Sequence, residues 1–410
     1  MVESNQKSKR LVEIAWSLYE RLPLAADDVL KWGFRYVLPF KNLNMSVAIL
    51  RGPTQLNGRL GTVIIAGSEH EAGYLIHRFF EAEYQREPLG KVPLWDLGNT
   101  LKQLRTSADL TIAHVDQFYA RMFLSADYLA VPEWVGSSLA LPEDINELAN
   151  KNYKLRRELK RVSGNNFTYE LSRVEEAFER FYCTMFIPFI RKRYGEQSVI
   201  RNIHQMRRMF HQGGLFFIKR NNQPVAGLLF EQRNEQLRSI AFGTINGESK
   251  PVEEGAFASL YLLLVKHAYV SGCKLVDFGG CRPSLSDGVL RYKHKWGVSL
   301  REKPDTWYDF LVYWNRFNGP IISFFSKTPL IFRDHKGLSG LCVMDQKEPA
   351  TNAQVRKIHH SVWMPGLKWL YLISASGWRA NISSPPQTCL IDLKSSENLT
   401  PHKLKLNGLL

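Results

Sequence analysis

Apolar residues in the first third of the chain fall into short runs separated by turn residues. MSVAILRG at 45–52 and GTVIIAG at 61–67 have the length of strands. The polar stretch GSEHEAG at 67–73 follows, and YLIHRFFEAEYQRE at 74–87 carries a helical pattern. DLTIAHV at 109–115 predicts another strand, and YLAVPEWV at 128–135 an extended segment held by Pro132. This alternation is α/β patterning. A strand, a glycine turn and a helix can hold a phosphate, but GSEHEAG is not a G-x-G-x-x-G loop and its glutamates would repel one.

The period changes near 150. LPEDINELAN at 141–150 reads as a boundary leading into a basic helix, KNYKLRRELKRVSG, that Gly164 ends. FTYEL predicts a short strand. VEEAFERFYCTMFIPFIRKRYG is helical with an interruption at Pro188, and IRNIHQMRRMFHQGG is a helix stopped by Gly213-Gly214. LFFIK, PVAGLLFEQ and QLRSIAFG are then joined by the turns RNNQ and RNE, which predicts a three-stranded antiparallel meander. The loop TINGESKPVEE leads to a buried helix, GAFASLYLLLVKHAYVSG, with Gly272 at its C-cap, and to a strand, KLVDFG. Past residue 300 the pattern is aromatic and irregular, with nine aromatic residues between Trp307 and Phe332. These rings cover a core or, alternatively, form a membrane-interface surface. Residues from about 383 onward read as a loose tail.

Composition fits a soluble globular protein of 410 residues, with 44% hydrophobic and 23% charged residues. No eighteen-residue apolar window predicts a spanning helix, and the N-terminal stretch lacks the apolar core of a signal peptide. Five scattered cysteines, with no zinc-type spacing, predict reduced thiols, no metal and a cytoplasmic setting. The net charge of +15 attracts anions: nucleic acid, anionic lipid or a phosphorylated carrier. Residues 151–220 hold sixteen Lys/Arg against six Glu, so much of the excess sits in one block.

The segment DFGGCRPSLSDGVLRYKHKWG at 277–297 concentrates the candidate chemistry. Gly279 and Gly280 let a ligand approach the backbone. Arg282 offers a planar fork for phosphate or carboxylate, and Ser286 or Asp287 can cap the following helix. Arg291 and Lys295 lie four apart on that helix and predict a cationic wall. Asp277 is the first candidate base or orienter and Glu231 the second; Arg282, Ser284 or Lys293 could stabilise developing charge. Asp277 could equally bond the amides of its own turn. Cys281 and His294 have no partner placed by the sequence, His204 and His211 read as surface residues, and Trp296 as core.

The order meander, helix, strand, together with RRELKR at 156–161, GGLFFIKRNNQPVAGLLFEQR at 213–233 and the 277–297 segment, resembles the Fem-like (FemAB-related) branch of the GNAT acyltransferase superfamily. The resemblance spans roughly residues 35–300. It implies tandem GNAT-like α/β (α+β) domains with mixed, mostly antiparallel sheets flanked by helices: one over 1–148 and an acyltransferase domain over 149–305. An aromatic-rich extension over 306–385 and a flexible tail over 386–410 complete the expected organisation. It also implies an acyl- or aminoacyltransferase acting on an amine or hydroxyl of a cell-envelope or exopolysaccharide precursor. Gly279, Gly280, Arg282, Ser284, Ser286, Arg291, Tyr292, Lys293 and Lys295 would then hold an anionic donor or acceptor, and Asp277 and Glu231 would serve the chemistry.

Acyl-CoA is one candidate donor, aminoacyl-tRNA another, and the acceptor side could be a nucleotide-linked sugar or a lipid-linked precursor at the inner face of the membrane. Where GNAT enzymes carry a pyrophosphate loop, this chain has Pro251-Val-Glu-Glu-Gly-Ala256, whose Glu253 and Glu254 suit helix capping better than phosphate. A non-catalytic or tRNA-type binding protein using the basic block is the alternative.

Overall fold

A computed structural model describes residue 16 and residues 43–124, 127–145, 147–148, 153–195, 198, 200–394 and 399–401. The N-terminal stretch, except Trp16, and the last part of the tail lie outside the described residues. In chain order the first strands are β1 (Asn44–Pro53), β2 (Leu60–Ala66), β3 (Gln85–Pro93), β4 (Leu110–Asp116) and β5 (Leu129–Pro132). Then come β6 (Val135–Ala140), β7 (Thr168–Ser172), β8 (Gly213–Arg220), β9 (Gln223–Arg233), β10 (Gln236–Thr244) and β11 (Leu275–Cys281). The last are β12 (Ser299–Glu302), β13 (Tyr308–Trp314), β14 (Leu330–Asp334), β15 (Gly337–Met344), β16 (Leu370–Ser374) and β17 (Thr388–Asp392).

The fold is α/β, with mixed, mostly antiparallel sheets flanked by helices. It divides into two compact units, neither of them one continuous stretch. Unit 1 holds residues 1–33, 137–279 and 293–298; unit 2 holds 34–136, 280–292 and 299–410.

Unit 2 is built on a sheet in the order β17-β16-β15-β14-β5-β13-β4-β2-β1-β3. Its central strands read as unbroken apolar runs because both faces are covered. Ala48, Leu50, Val63, Ile65, Leu110, Ile112, Phe310, Val312 and Trp314 face one core with the helices Glu69–Phe79 and Gly319–Lys327. Their alternating neighbours Val47, Ile49, Ile64, Ala113, Val115, Leu311 and Tyr313 face another with the helix Leu94–Leu104. Period-two alternation thus feeds two cores from the same strands.

Three expectations are corrected here. The helix expected over 74–87 begins at Glu69, N-capped by Ser68, and ends at Phe79. Residues 85–93 form β3, an edge strand that pairs antiparallel with β1. Five of its nine residues are polar or glycine and most are exposed, so it carries no apolar signal. Second, the region past 300 is regular: β13 to β17 supply half of the ten-stranded sheet. The chain from 306 is therefore no separate extension, and Phe310, Trp314, Phe324, Phe325 and Phe332 are core residues. Third, the tail expected from 386 contains β17, parallel to β16. Beyond it, the Leu399 carbonyl accepts from the buried Trp314 indole N–H at 2.8 Å.

In unit 1 the meander forms as expected, in the order β11-β10-β9-β8-β7. Two-residue turns join its strands, with Asn221, Asn222 and Asn234 in the left-handed region that such hairpins require. The helix interrupted at Pro188 runs as Glu175–Arg180, a π segment Phe181–Phe186 and Ile187–Tyr194. The wider π turn accommodates the proline, whose missing N–H falls in the first turn of the last piece. Gly243 on β10 meets that π segment: a Cβ there would lie 2.5 Å from the Met185 carbonyl carbon. The buried helix Ala256–Val270 and Gly272 form as read. Glu253 and Glu254 do not cap it. They end a separate turn, Lys250–Glu253, and Glu254 pairs with Arg220.

Candidate functional site

β10 and β11 are parallel neighbours, paired from Gln236↔Leu275 to Arg238↔Asp277. β10 continues to Thr244 and β11 to Cys281, but the register stops at Asp277. The hydrogen bonds of Gly279 account for the break. Its N–H goes to Asp277 Oδ1 at 2.8 Å. Its carbonyl accepts from Ser137 Oγ at 3.0 Å and from Lys293 Nζ at 3.2 Å. A positive φ of 79° lets Gly279 turn both groups away from β10. On the other side β10 carries a bulge between Ser239 and Ala241. Ser239–Thr244 therefore have no register partner on β11.

Glu231, Arg238 and Asp277 sit opposite one another on β9, β10 and β11. Arg238 Nε is 3.4 Å from Asp277 Oδ2, and its Nη1 is 4.0 Å from Glu231 Oε2. Arg233 completes the group by donating to Glu231. Both carboxylates are buried, at 1% and 4% exposure, and each faces a guanidinium. Asp277 thus bonds an amide of its own turn and faces the Arg238 side chain. Lys293 is buried at 3% and fixes the Gly279 carbonyl, and Lys295 is paired with Glu158 at 3.5 Å. The helix Gly288–His294 ends before Lys295, and Arg291 is exposed. Arg291 and Lys295, expected to form a cationic wall, therefore do not share that helix. Trp296 is core, beside Tyr261 and Phe278.

Within unit 2 the polar loop is docked rather than open. Ser284 Oγ donates to the Pro329 carbonyl at 3.1 Å, and Ser286 Oγ to the Lys327 carbonyl at 3.2 Å. Leu285 N–H and Ile331 N–H add main-chain bonds to Pro329 and Pro283. Both serines therefore position the loop. Asp287 is the helix cap, accepting from Leu290 N–H at 2.8 Å. Gly280, half-buried, faces the Lys303 stem and the Trp134 ring. Tyr292 is half-buried.

Arg282 lies against two aromatic rings. Its guanidinium lies 4.1 Å from the Trp134 ring centroid and 4.9 Å from that of Tyr74. Around it the fold gathers residues for which sequence reasoning had assigned no chemistry. His114, near the end of β4, is buried, and its Nε2 is 3.7 Å from Glu133 Oε2. Phe310 and Tyr308 flank the imidazole, each with ring centroids 4.9 Å away. Glu133, between β5 and β6, also accepts from the Trp134 indole N–H at 3.1 Å. Burial alone would raise the Glu133 carboxyl. Contacts from His114 and Trp134 and the Arg282 charge outweigh burial and hold it below the ordinary carboxylate range. Burial drives the Tyr74 hydroxyl far up, against the pull of Arg282. Tyr74 Oη, His114 Nε2 and Arg282 Nη1 are all shielded from solvent, and none has a hydrogen-bond partner.

In the basic block, Arg207 pairs with Glu175 and Glu179, Lys219 with Glu170, and Arg220 with Glu254. His211 pairs with Glu175, and His204 stacks on Trp16. Part of that charge is therefore neutralised within unit 1. Among the described residues no His/Cys/Asp/Glu group could hold a metal, and no helix is long and apolar enough to cross a membrane.

No family model matches the chain, and no curated protein matches it. Among solved structures it is similar to FemX, at 13% identity and a TM-score of 0.35, over 62% of this chain and 81% of that one. L-PGS from Bacillus licheniformis is similar at 11% identity and a TM-score of 0.29, over 67% and 87%. A GCN5-related N-acetyltransferase from Kribbella flavida is similar at 12% identity and a TM-score of 0.25, over 64% and 86%.

Proposed function

We propose that the protein is an acyltransferase that moves an acyl or aminoacyl group from an activated donor to an amine or hydroxyl, on a cell-envelope or exopolysaccharide precursor. The parting of β10 from β11 carries this reading. Main-chain groups of Ser239–Thr244 that lack a β11 partner can pair with an extended, amide-bearing donor arm, as a sheet edge pairs with a strand. A CoA ester offers such an arm; an aminoacyl-tRNA end is the other donor the sequence resemblance implies. Attack by the acceptor forms a tetrahedral oxyanion, which main-chain N–H groups beside the gap can stabilise; its collapse breaks the donor's acyl bond and releases the thiol or tRNA hydroxyl, which takes up the proton that the acceptor loses. Asp277, Glu231 and Arg238 act as positioning residues: they set the angle at which β11 leaves β10.

A melting-temperature shift with CoA esters, followed by mass-spectrometric detection of acylated acceptors, tests the proposal. Stabilisation by a CoA ester, with loss of that shift when Gly279→Val resets the turn, is the expected result. Absence of both CoA-ester binding and transfer from aminoacyl-tRNA would refute it.

A further inference from the structure

We propose that unit 2 contains a binding site for a small zwitterion bearing a carboxylate and an amine, of the amino-acid type, centred on Arg282, Tyr74, His114 and Glu133. The site stands on unit 2 residues alone and is independent of the acyl-transfer reading. Two polar atoms, Tyr74 Oη and Arg282 Nη1, are enclosed without hydrogen-bond partners, and His114 Nε2 meets only Glu133, at 3.7 Å. A buried donor left unmatched costs about 1–3 kcal/mol, so two in one neighbourhood point to a ligand that completes them. Arg282 forms no ion pair among the described residues, although it is held rigidly between Trp134 and Tyr74. A guanidinium fixed by two rings, with its Nη1 enclosed and unbonded, is a receptor for a planar carboxylate, with the Tyr74 hydroxyl as a further donor.

Glu133 decides the rest of the ligand. Its carboxylate lies in the same cluster, 3.7 Å from His114 Nε2. A simple anion would meet Arg282 but would be repelled by Glu133. A phosphate dianion would be repelled more strongly. A ligand with a cationic amine next to its carboxylate meets both charges with complementary groups. His114, buried and fixed against Phe310 and Tyr308, lines the amine side.

The test is binding by the full chain with no acyl donor present, so its failure is separate from failure of the transferase reading. The twenty common L-amino acids are screened by thermal shift. Each that binds is compared by calorimetry with its N-acetyl and carboxamide derivatives. The expected result is that at least one amino acid binds, both its derivatives lose about tenfold or more, and Arg282→Lys and Glu133→Gln lose a similar factor. The comparison of derivatives on the unaltered protein holds even where a variant folds poorly. No binding by any of the twenty, or equal binding of the N-acetyl derivative, overturns the proposal. Acetate or inorganic phosphate binding as tightly as the amino acid overturns it as well.

Discussion

Arg238 and Asp277 face each other across two parallel strands, Nε to Oδ2 at 3.4 Å, at the last register position that β10 and β11 share. Glu231 on the far side makes the arginine a bridge between two buried carboxylates. Removing it leaves Asp277 without the guanidinium it faces, and Glu231 with Arg233. Arg238→Ala should therefore destabilise unit 1 by about 3–5 kcal/mol, as expected when a buried pair loses one partner. Urea unfolding measures this; a change within 0.5 kcal/mol, about the noise of a surface substitution, would mean that the bridge is not formed.

Asp277 has two jobs that substitutions can separate. Asp277→Asn keeps an oxygen for the Gly279 N–H and loses the charge opposite Arg238; Asp277→Ala loses both. The alanine variant should be the less stable of the two, by about 1 kcal/mol or more. Equal melting temperatures would show that the turn bond contributes nothing.

Gly243 and Gly288 make a contrasting pair. A methyl group at Gly243 collides with the Met185 backbone at 2.5 Å, while one at Gly288 meets open space. Gly243→Ala should cost at least about 2 kcal/mol, and Gly288→Ala should be neutral or slightly stabilising. Paired denaturation curves check both signs.

The C-terminal strand should matter to unit 2. Ending the chain after Pro386 removes β17 and the carbonyl that receives the Trp314 indole N–H. The truncated protein should melt several degrees lower, and Trp314 fluorescence should report a wetter environment. An unchanged melting curve would restore the idea of a dispensable tail.

His267 supplies a pH signature. Burial first, and the charge of Arg173 second, push its pKa below the ordinary value. A depressed pKa means that the unfolded chain binds the proton more readily. Stability from this group is complete above about pH 6.5 and is lost as pH falls through the folded value. The ring lies 5.4 Å from both Phe216 and Phe230, so an uncharged replacement keeps the packing partly intact. His267→Leu should lose less stability than the parent between about pH 7.5 and pH 5, compared by thermal melts.

The sequence made some of this legible and concealed the rest for physical reasons. β8 to β10 were readable because apolar alternation and Asn-containing turns agree with each other. β3 was not, since an exposed edge strand needs no apolar side. β13 to β17 read as irregular because strands covered on both faces lose the alternation that marks a strand. Arg282 stood out by its loop. His114 and Glu133 did not, because each looks like an ordinary residue at a strand end. Only the fold brings position 114 to position 133, and the tyrosine at 74 to the arginine at 282.

Unit 2 takes its sheet from both ends of the described chain, with residues 137–279 intervening in another unit. During synthesis β4 therefore leaves the ribosome long before its neighbour β13 exists, and β5 waits with it. The inserted unit has all but its last short segment in hand first. A nascent chain paused near residue 300 would display the bare flank of β4 to solvent, where chaperones, or another copy of the same strand, would compete for it.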